Sequence, residues 1–291
     1  MDLRAILMGL AFAFIWSSAF SSARIIVAEA SPLASLSLRF FISGALGVLL
    51  ARMMGQTWHL TREQWRATFI FGLCQNALYL GLFFVAMQTI EASLASIIAS
   101  VMPLMVAFAG WAFFRDRLQP MAVIGLIAGL VGVVIIMGSR INEGVDMSGI
   151  ALCVIGTVAL TIATLSMRGA SSGGNLMMIV GLQMFVGALV LAVASFILET
   201  VKVNVTWQFL LAFIYTIFAP GLLATWIWFA LVARIGAVRA AAFHFLNPFF
   251  GVAIAAVLLG EKLGMMDVIG VTIIAGGILA VQMSKLGPAQ T

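Results

Sequence analysis

"AVRAAAFHFLNPFFGVAIAAVLLGEKL" (237–263) overlies "ASLASIIASVMPLMVAFAGWAFFRDRL" (92–118) when Pro248 is laid on Pro103, an offset of 145 residues. Ala92/Ala237, Ala95/Ala240 and Leu118/Leu263 then coincide, as do the acids Asp116 and Glu261. The register continues through Gly125/Gly270 and Gly132/Gly277, and "GAL" at 44–46 meets "GAL" at 187–189 at the slightly shorter offset of 143. Self-similarity at a fixed spacing marks a chain built from copies of one unit. Two repeats are expected, 1–144 and 145–291.

Composition says where these copies reside. The 291 residues are 64% hydrophobic and only 9% charged, with a mean hydropathy of +1.19, far from soluble norms. Such a chain belongs in a membrane. A helix needs roughly 20 apolar residues to cross the hydrocarbon, so about ten crossings fit, with no room for a globular domain outside it. Charge, Pro and Gly punctuation places the helices near 4–26, 33–53, 66–88, 93–114, 118–138, 147–168, 174–197, 206–232, 237–259 and 264–284. The expected fold class is therefore an all-α integral membrane protein with ten transmembrane helices. "SSAFSSA" (17–23) resembles a signal-peptide cleavage site, but Asp2 and Arg4 make a poor positive leader, and the first helix is read as retained.

The net charge of +5 could suggest a nucleic-acid partner, yet the cations are scattered singly between apolar runs and read as topology signals. With the termini inside, Arg4, Arg52, Arg62, Arg66, Arg115, Arg117, Arg168, Arg234, Arg239 and Lys285 fall on the cytoplasmic side. Arg24, Arg140, Lys202 and Lys262 fall outside, and Arg39 lies within a helix. That bias supports an N-in, C-in orientation. Cys74 and Cys153 lie in apolar runs without ligand-spaced partners; no disulfide, metal or cofactor is expected.

Five crossings per repeat is an odd number, so the second copy starts on the opposite face and the halves become inverted. Inverted repeats are a common transporter design, with a site near the midplane where broken helices meet. Pro103 and Pro248 lie near the middles of the fourth and ninth helices, where each frees a carbonyl one turn earlier. They are the expected helix-break or gating positions; the alternative is a kink that only shapes packing.

"WSSAF" (16–20), "SPLASLSLRF" (31–40) and the spacing from Pro to an acid thirteen positions on, in Pro248 to Glu261 and Pro103 to Asp116, are features the chain shares with a known group. It resembles the ten-helix EamA-type exporters of the drug/metabolite transporter superfamily, over its whole length. It departs from their pattern in Ser17, where Gly is usual, and Asp116, where Glu is usual. The resemblance implies export of small metabolites, often amino acids, across a bacterial inner membrane. Within the family the chain is most similar to exporters of aromatic and other neutral amino acids.

Polar residues at membrane depth are the candidates for a cavity: Trp16, Ser17, Arg39, Asn76, Tyr79, Ser100, Trp228, His244 and Asn247. Arg39 could pair with a substrate carboxylate, or bridge helix ends and carbonyls. Ser and Thr in membrane helices more often bond their own backbone or a neighbouring helix. His244 could carry a proton or serve packing. No Asp or Glu falls mid-helix, which disfavours an antiporter built on a buried carboxylate. The fifth and tenth helices, nearly pure apolar with Gly125, Gly129 and Gly276–Gly277, are expected outside the cavity, with Asp116 and Glu261 capping their starts.

"GASSG" (169–173) matches G-x-S-x-G, but the nucleophile elbow needs a preceding strand and acid and His partners, so no enzyme is expected. A channel would need rings of charges or carbonyls that are not evident. The expectation is a transporter exporting small neutral or aromatic amino acids or related metabolites by facilitated alternating access. Proton-coupled multidrug or metabolite antiport is the alternative. Its partners would be a small-molecule substrate and the lipid bilayer, with no nucleic acid, and the chain is expected to be monomeric.

Overall fold

A computed structural model of the chain describes residues 3–115, 119–142, 144–166, 175–235, 240 and 242–284. Ten apolar helical segments follow one another: α1 Leu3–Glu29, α2 Pro32–Met53, α3 Arg62–Ala86, α4 Ala92–Ala99 resuming as Met102–Phe114, α5 Pro120–Asn142, α6 Met147–Ser166, α7 Leu176–Leu198, α8 Trp207–Thr216 running on through Ala224–Ile235, α9 Asn247–Leu259 and α10 Met265–Ser284. Among the described residues nine are long and apolar enough to cross a bilayer, and Phe243–Leu259 is a shorter apolar helix. Among the described residues, extended structure is confined to one antiparallel bridge, Ala30 to Val203.

Local chemistry sets the boundaries. Thr61 and Gln64 form a reciprocal capping box, so α3 begins four residues before the expected 66. Pro32 and Pro120 sit at helix starts, where a missing N–H costs nothing. The ninth helix was expected from 237. Residues 236–239 and 241 lie outside the described residues; beyond them a 3-10 turn Ala242–Leu246 leads into the α-helix Asn247–Leu259, with Pro248 in its first turn. Pro103 likewise lies in the first turn of the resumed half of α4, so both prolines start a helical piece rather than bend a continuous one.

Two further irregularities were not expected. Gly72–Tyr79 of α3 and Ile217–Leu223 of α8 are π-helical. In the second, Pro220 has no N–H for the Thr216 carbonyl, so the hydrogen-bond register widens by one residue. The two segments begin at Gly72 and Ile217, again 145 positions apart.

The chain folds as two compact units, 1–21 with 90–147 and 223–291, and 22–89 with 148–222. Each draws helices from both halves of the sequence, and the division falls within α1 and α8.

In the first unit α5 lies antiparallel to α10. The Gly277 carbonyl is 2.6 Å from where a Cβ on Gly125 would stand, and the Gly270 carbonyl 2.8 Å from one on Gly132. Small residues let the backbones touch. Gly276 faces open space, so of the expected Gly276–Gly277 pair only Gly277 packs. One end of this unit carries a charge cluster: Arg140 donates to both Asp267 oxygens at 3.2 and 2.8 Å and to Glu91 at 2.9 Å. Glu261 accepts the N–H groups of Ala92 and Ser93 at 2.8 and 2.9 Å. The expected cap at the start of α10 is therefore corrected: Glu261 caps α4, because the end of α9 lies against that start. The matching expectation for Asp116 lies outside the described residues.

The second unit is built on α2 against α7, where the Gly181 carbonyl is 3.0 Å from a Cβ position on Gly44. Glu199, after α7, accepts the N–H groups of Leu33 and Ala34 at 2.8 and 3.0 Å. Reciprocally Gln56, after α2, accepts from Met178 N–H at 3.0 Å. Leu33 and Met178 differ by the repeat offset of 145, and Gln56 and Glu199 by 143.

Candidate functional site

In the first unit the break before α9 gathers five of the residues singled out above. Phe12 of α1, 2% exposed, is the floor. Its ring centroid lies 5.7 Å from Trp16, 4.9 Å from Trp228 of α8 and 5.3 Å from His244, with the last edge-on. Trp228 and His244 are 5.1 Å apart. Trp16, Trp228 and His244 are each only partly buried, whereas Phe12 beneath them is covered. Aromatic groups at these separations attract beyond simple burial.

A polar edge borders the rings. Asn247 Nδ2 lies 3.0 Å from His244 Nδ1; an amide N–H donating there places the imidazole proton on Nε2. Ser17 Oγ donates to the Asn247 main-chain carbonyl at 3.2 Å. Asn247 Oδ1 is buried and has no hydrogen-bond partner. Turning the amide over would satisfy Oδ1 from a protonated Nδ1 and orphan Nδ2 instead, so one end of this amide is left over in either orientation. Unsatisfied buried polar groups are uncommon and costly. Pro248 contributes too: lacking an N–H, it cannot take up the His244 carbonyl as an α-helical residue four positions on would, and the chain before it winds as the 3-10 turn Ala242–Leu246.

The remaining expected site residues are placed as follows. Ser100 is buried and donates to the Ser96 carbonyl at 2.6 Å at the break in α4, just before Pro103. In the second unit Asn76 and Tyr79 both fall within the π-helical part of α3. Asn76 Nδ2 donates to the Gln183 carbonyl of α7 at 3.0 Å, and its stem covers Gly187. Tyr79 is 2% exposed, its ring 4.6 Å from Phe83. Arg39 is 6% exposed and its guanidinium stacks 5.3 Å from Phe40. Phe12 was missed because a Phe in an apolar run carries no signal; the charge cluster of Arg140 was missed because its members are far apart in sequence. "GASSG" (169–173) lies outside the described residues.

Ten apolar helical segments, broken or widened at points where buried polar groups collect, define a polytopic membrane transporter. The sequence profile of the EamA-like transporter family matches the chain twice, over residues 3–138 and 147–283. The chain belongs to that family. It is 25% identical over 267 residues to an uncharacterized transporter, YvbV, of Bacillus subtilis strain 168, covering 91% of this chain and 87% of that one. It is 26% identical over 197 residues to the "Probable amino-acid metabolite efflux pump" of Salmonella typhimurium, covering 64% and 66%. A protein of known crystal structure, 19% identical, shares the fold with a TM-score of 0.70 over 97% of this chain and 99% of that one.

Proposed function

We propose that the chain exports small neutral amino acids with apolar or aromatic side chains, or related metabolites, across a bacterial inner membrane with both termini in the cytoplasm. The observation that carries this reading is the partly open aromatic group of Trp16, Trp228 and His244 over Phe12, bordered by the unpartnered amide end of Asn247. An apolar side chain gains by covering the rings, and a polar substrate group satisfies the amide. The efflux pump of Salmonella typhimurium lends the substrate class distant support. The repeats 1–144 and 145–291 are proposed to be inverted, on the strength of the paired caps, the paired glycines and the twice-matched profile.

Transport is proposed to be alternating access down the substrate gradient. The buried acid Asp267 is held in an ion pair with Arg140, a contact that ties α5 to α10. Counterflow of radiolabelled L-phenylalanine in proteoliposomes tests the proposal. The expected result is saturable flux accelerated by unlabelled substrate on the far side, about tenfold or more slower in Asn247→Leu, since one lost pairing of about 1.4 kcal/mol gives tenfold. Linear flux indicates a pore, and collapse with a protonophore at a fixed substrate gradient indicates proton coupling.

A further inference from the structure

Arg39 of α2 is a buried cation with no carboxylate partner among the described residues. Its Nε has no hydrogen-bond partner, and its one recorded contact is the Phe40 ring. Arg140, by contrast, is paired with Glu91 and Asp267. Of the acids of the second unit, Glu199 is committed to Leu33, Ala34 and Ser195 and Glu29 to Asn204, while Glu63 is exposed in the first turn of α3. One helical turn beyond Arg39, on the same face, the hydroxyl of Ser43 is 1% exposed and also unpartnered. It lies 3.6 Å from where a Cβ on Gly221 would stand, in the π-helical part of α8 next to Pro220. A guanidinium keeps its proton, and leaving it buried and unpaired is expensive. Ionisable groups retained at membrane depth mark substrate pathways by default.

Building on the transporter reading above, we infer that Arg39 and Ser43 form the receptor for the carboxylate of a monoanionic substrate. The planar fork of the guanidinium accepts a carboxylate side-on, and the serine hydroxyl supplies a further donor to its oxygens. A single cation matches one negative charge, so a substrate bearing one carboxylate fits where a phosphate ester with two charges is left half neutralised. A Cβ at Gly221 would stand 2.9 Å from the Thr216 carbonyl, so glycine is what lets this part of α8 approach Ser43 closely.

Binding of 3-phenylpropionate and of its uncharged amide to purified protein in nanodiscs tests this without requiring an amino group on the ligand. The acid is expected to raise the Tm and to bind at least tenfold more tightly than the amide. Arg39→Gln should remove that preference and leave amide affinity unchanged, while Arg39→Lys, which keeps the charge but loses the fork, should retain part of it. Ser43→Ala, a change that keeps the cation, should weaken acid binding several-fold and spare the amide. Equal binding of acid and amide by the unaltered protein overturns the inference, as does no binding of either, or full acid preference in Arg39→Gln. If 3-phenylpropionate behaves as expected and L-phenylalanine gives no counterflow, the amino-acid reading fails and the carboxylate receptor stands.

Discussion

The carboxylate of Glu261 accepts the backbone N–H of Ala92 at 2.8 Å, so the end of α9 closes the start of α4. Its second oxygen takes Ser93 N–H, and two N–H groups with no helical acceptor of their own are satisfied by one side chain. Glu261→Ala should therefore lower stability by about 1 kcal/mol, typical of a lost cap, and Glu261→Gln by less. Thermal unfolding in detergent measures both; an unchanged Tm in Glu261→Ala would show that the cap is idle.

The contact between α5 and α10 makes a sharper contrast within one helix. Gly277→Leu must push a side chain into the Gly125 carbonyl, 2.6 Å from its Cβ position, and should cost about 1–3 kcal/mol or more from overpacking. Gly276→Ala meets open space and should gain up to about 1 kcal/mol from helix propensity. Opposite Tm shifts at these adjacent positions are the expected outcome.

Arg140 and Asp267 form a buried pair, 8% and 3% exposed. Arg140→Gln strands the carboxylate and should destabilise by about 3–5 kcal/mol, whereas Arg140→Met with Asp267→Leu should recover most of the loss because no buried charge remains. Glu91, with 41% of its side chain exposed, should tolerate Glu91→Gln with a loss of about 1 kcal/mol or less. Chemical or thermal unfolding of the four proteins checks the order.

Inversion of the repeats is tested by labelling. Gln119 and Lys262 are both exposed and follow the corresponding helices α4 and α9. In a background lacking Cys74 and Cys153, Gln119→Cys and Lys262→Cys should react with a membrane-impermeant maleimide from opposite faces. Reaction of both from one face contradicts the inversion.

Much of the fold is legible in the sequence because its signals are local or periodic. Apolar runs of bilayer length outline the helices, and Pro103, Pro248 and the glycines at 125, 132, 270 and 277 keep one register. The candidate site was legible in part, since Trp16, Ser17, Trp228, His244 and Asn247 are unusual in an apolar chain and do come together. What stayed hidden depends on neighbours distant along the chain. Glu261 gives no sign that it serves Ala92, 169 residues away. Phe12 looks like any other apolar residue until the rings of α8 are placed on it. The π-helical turns at Gly72 and Ile217 shift hydrogen bonds by one residue without altering hydropathy, so no pattern of apolar residues announces them.

Equilibrium binding of radiolabelled L-phenylalanine to the purified protein, unaltered and as Trp228→Ala, tests most directly whether the aromatic group beside Asn247 receives the transported solute. Removing a ring that lies 4.9 Å from Phe12 and 5.1 Å from His244 should weaken binding by about tenfold or more, with the protein still folded, because a buried aromatic contact carries roughly 1.4 kcal/mol or above. The same affinity in both proteins would place the solute elsewhere and contradict the account.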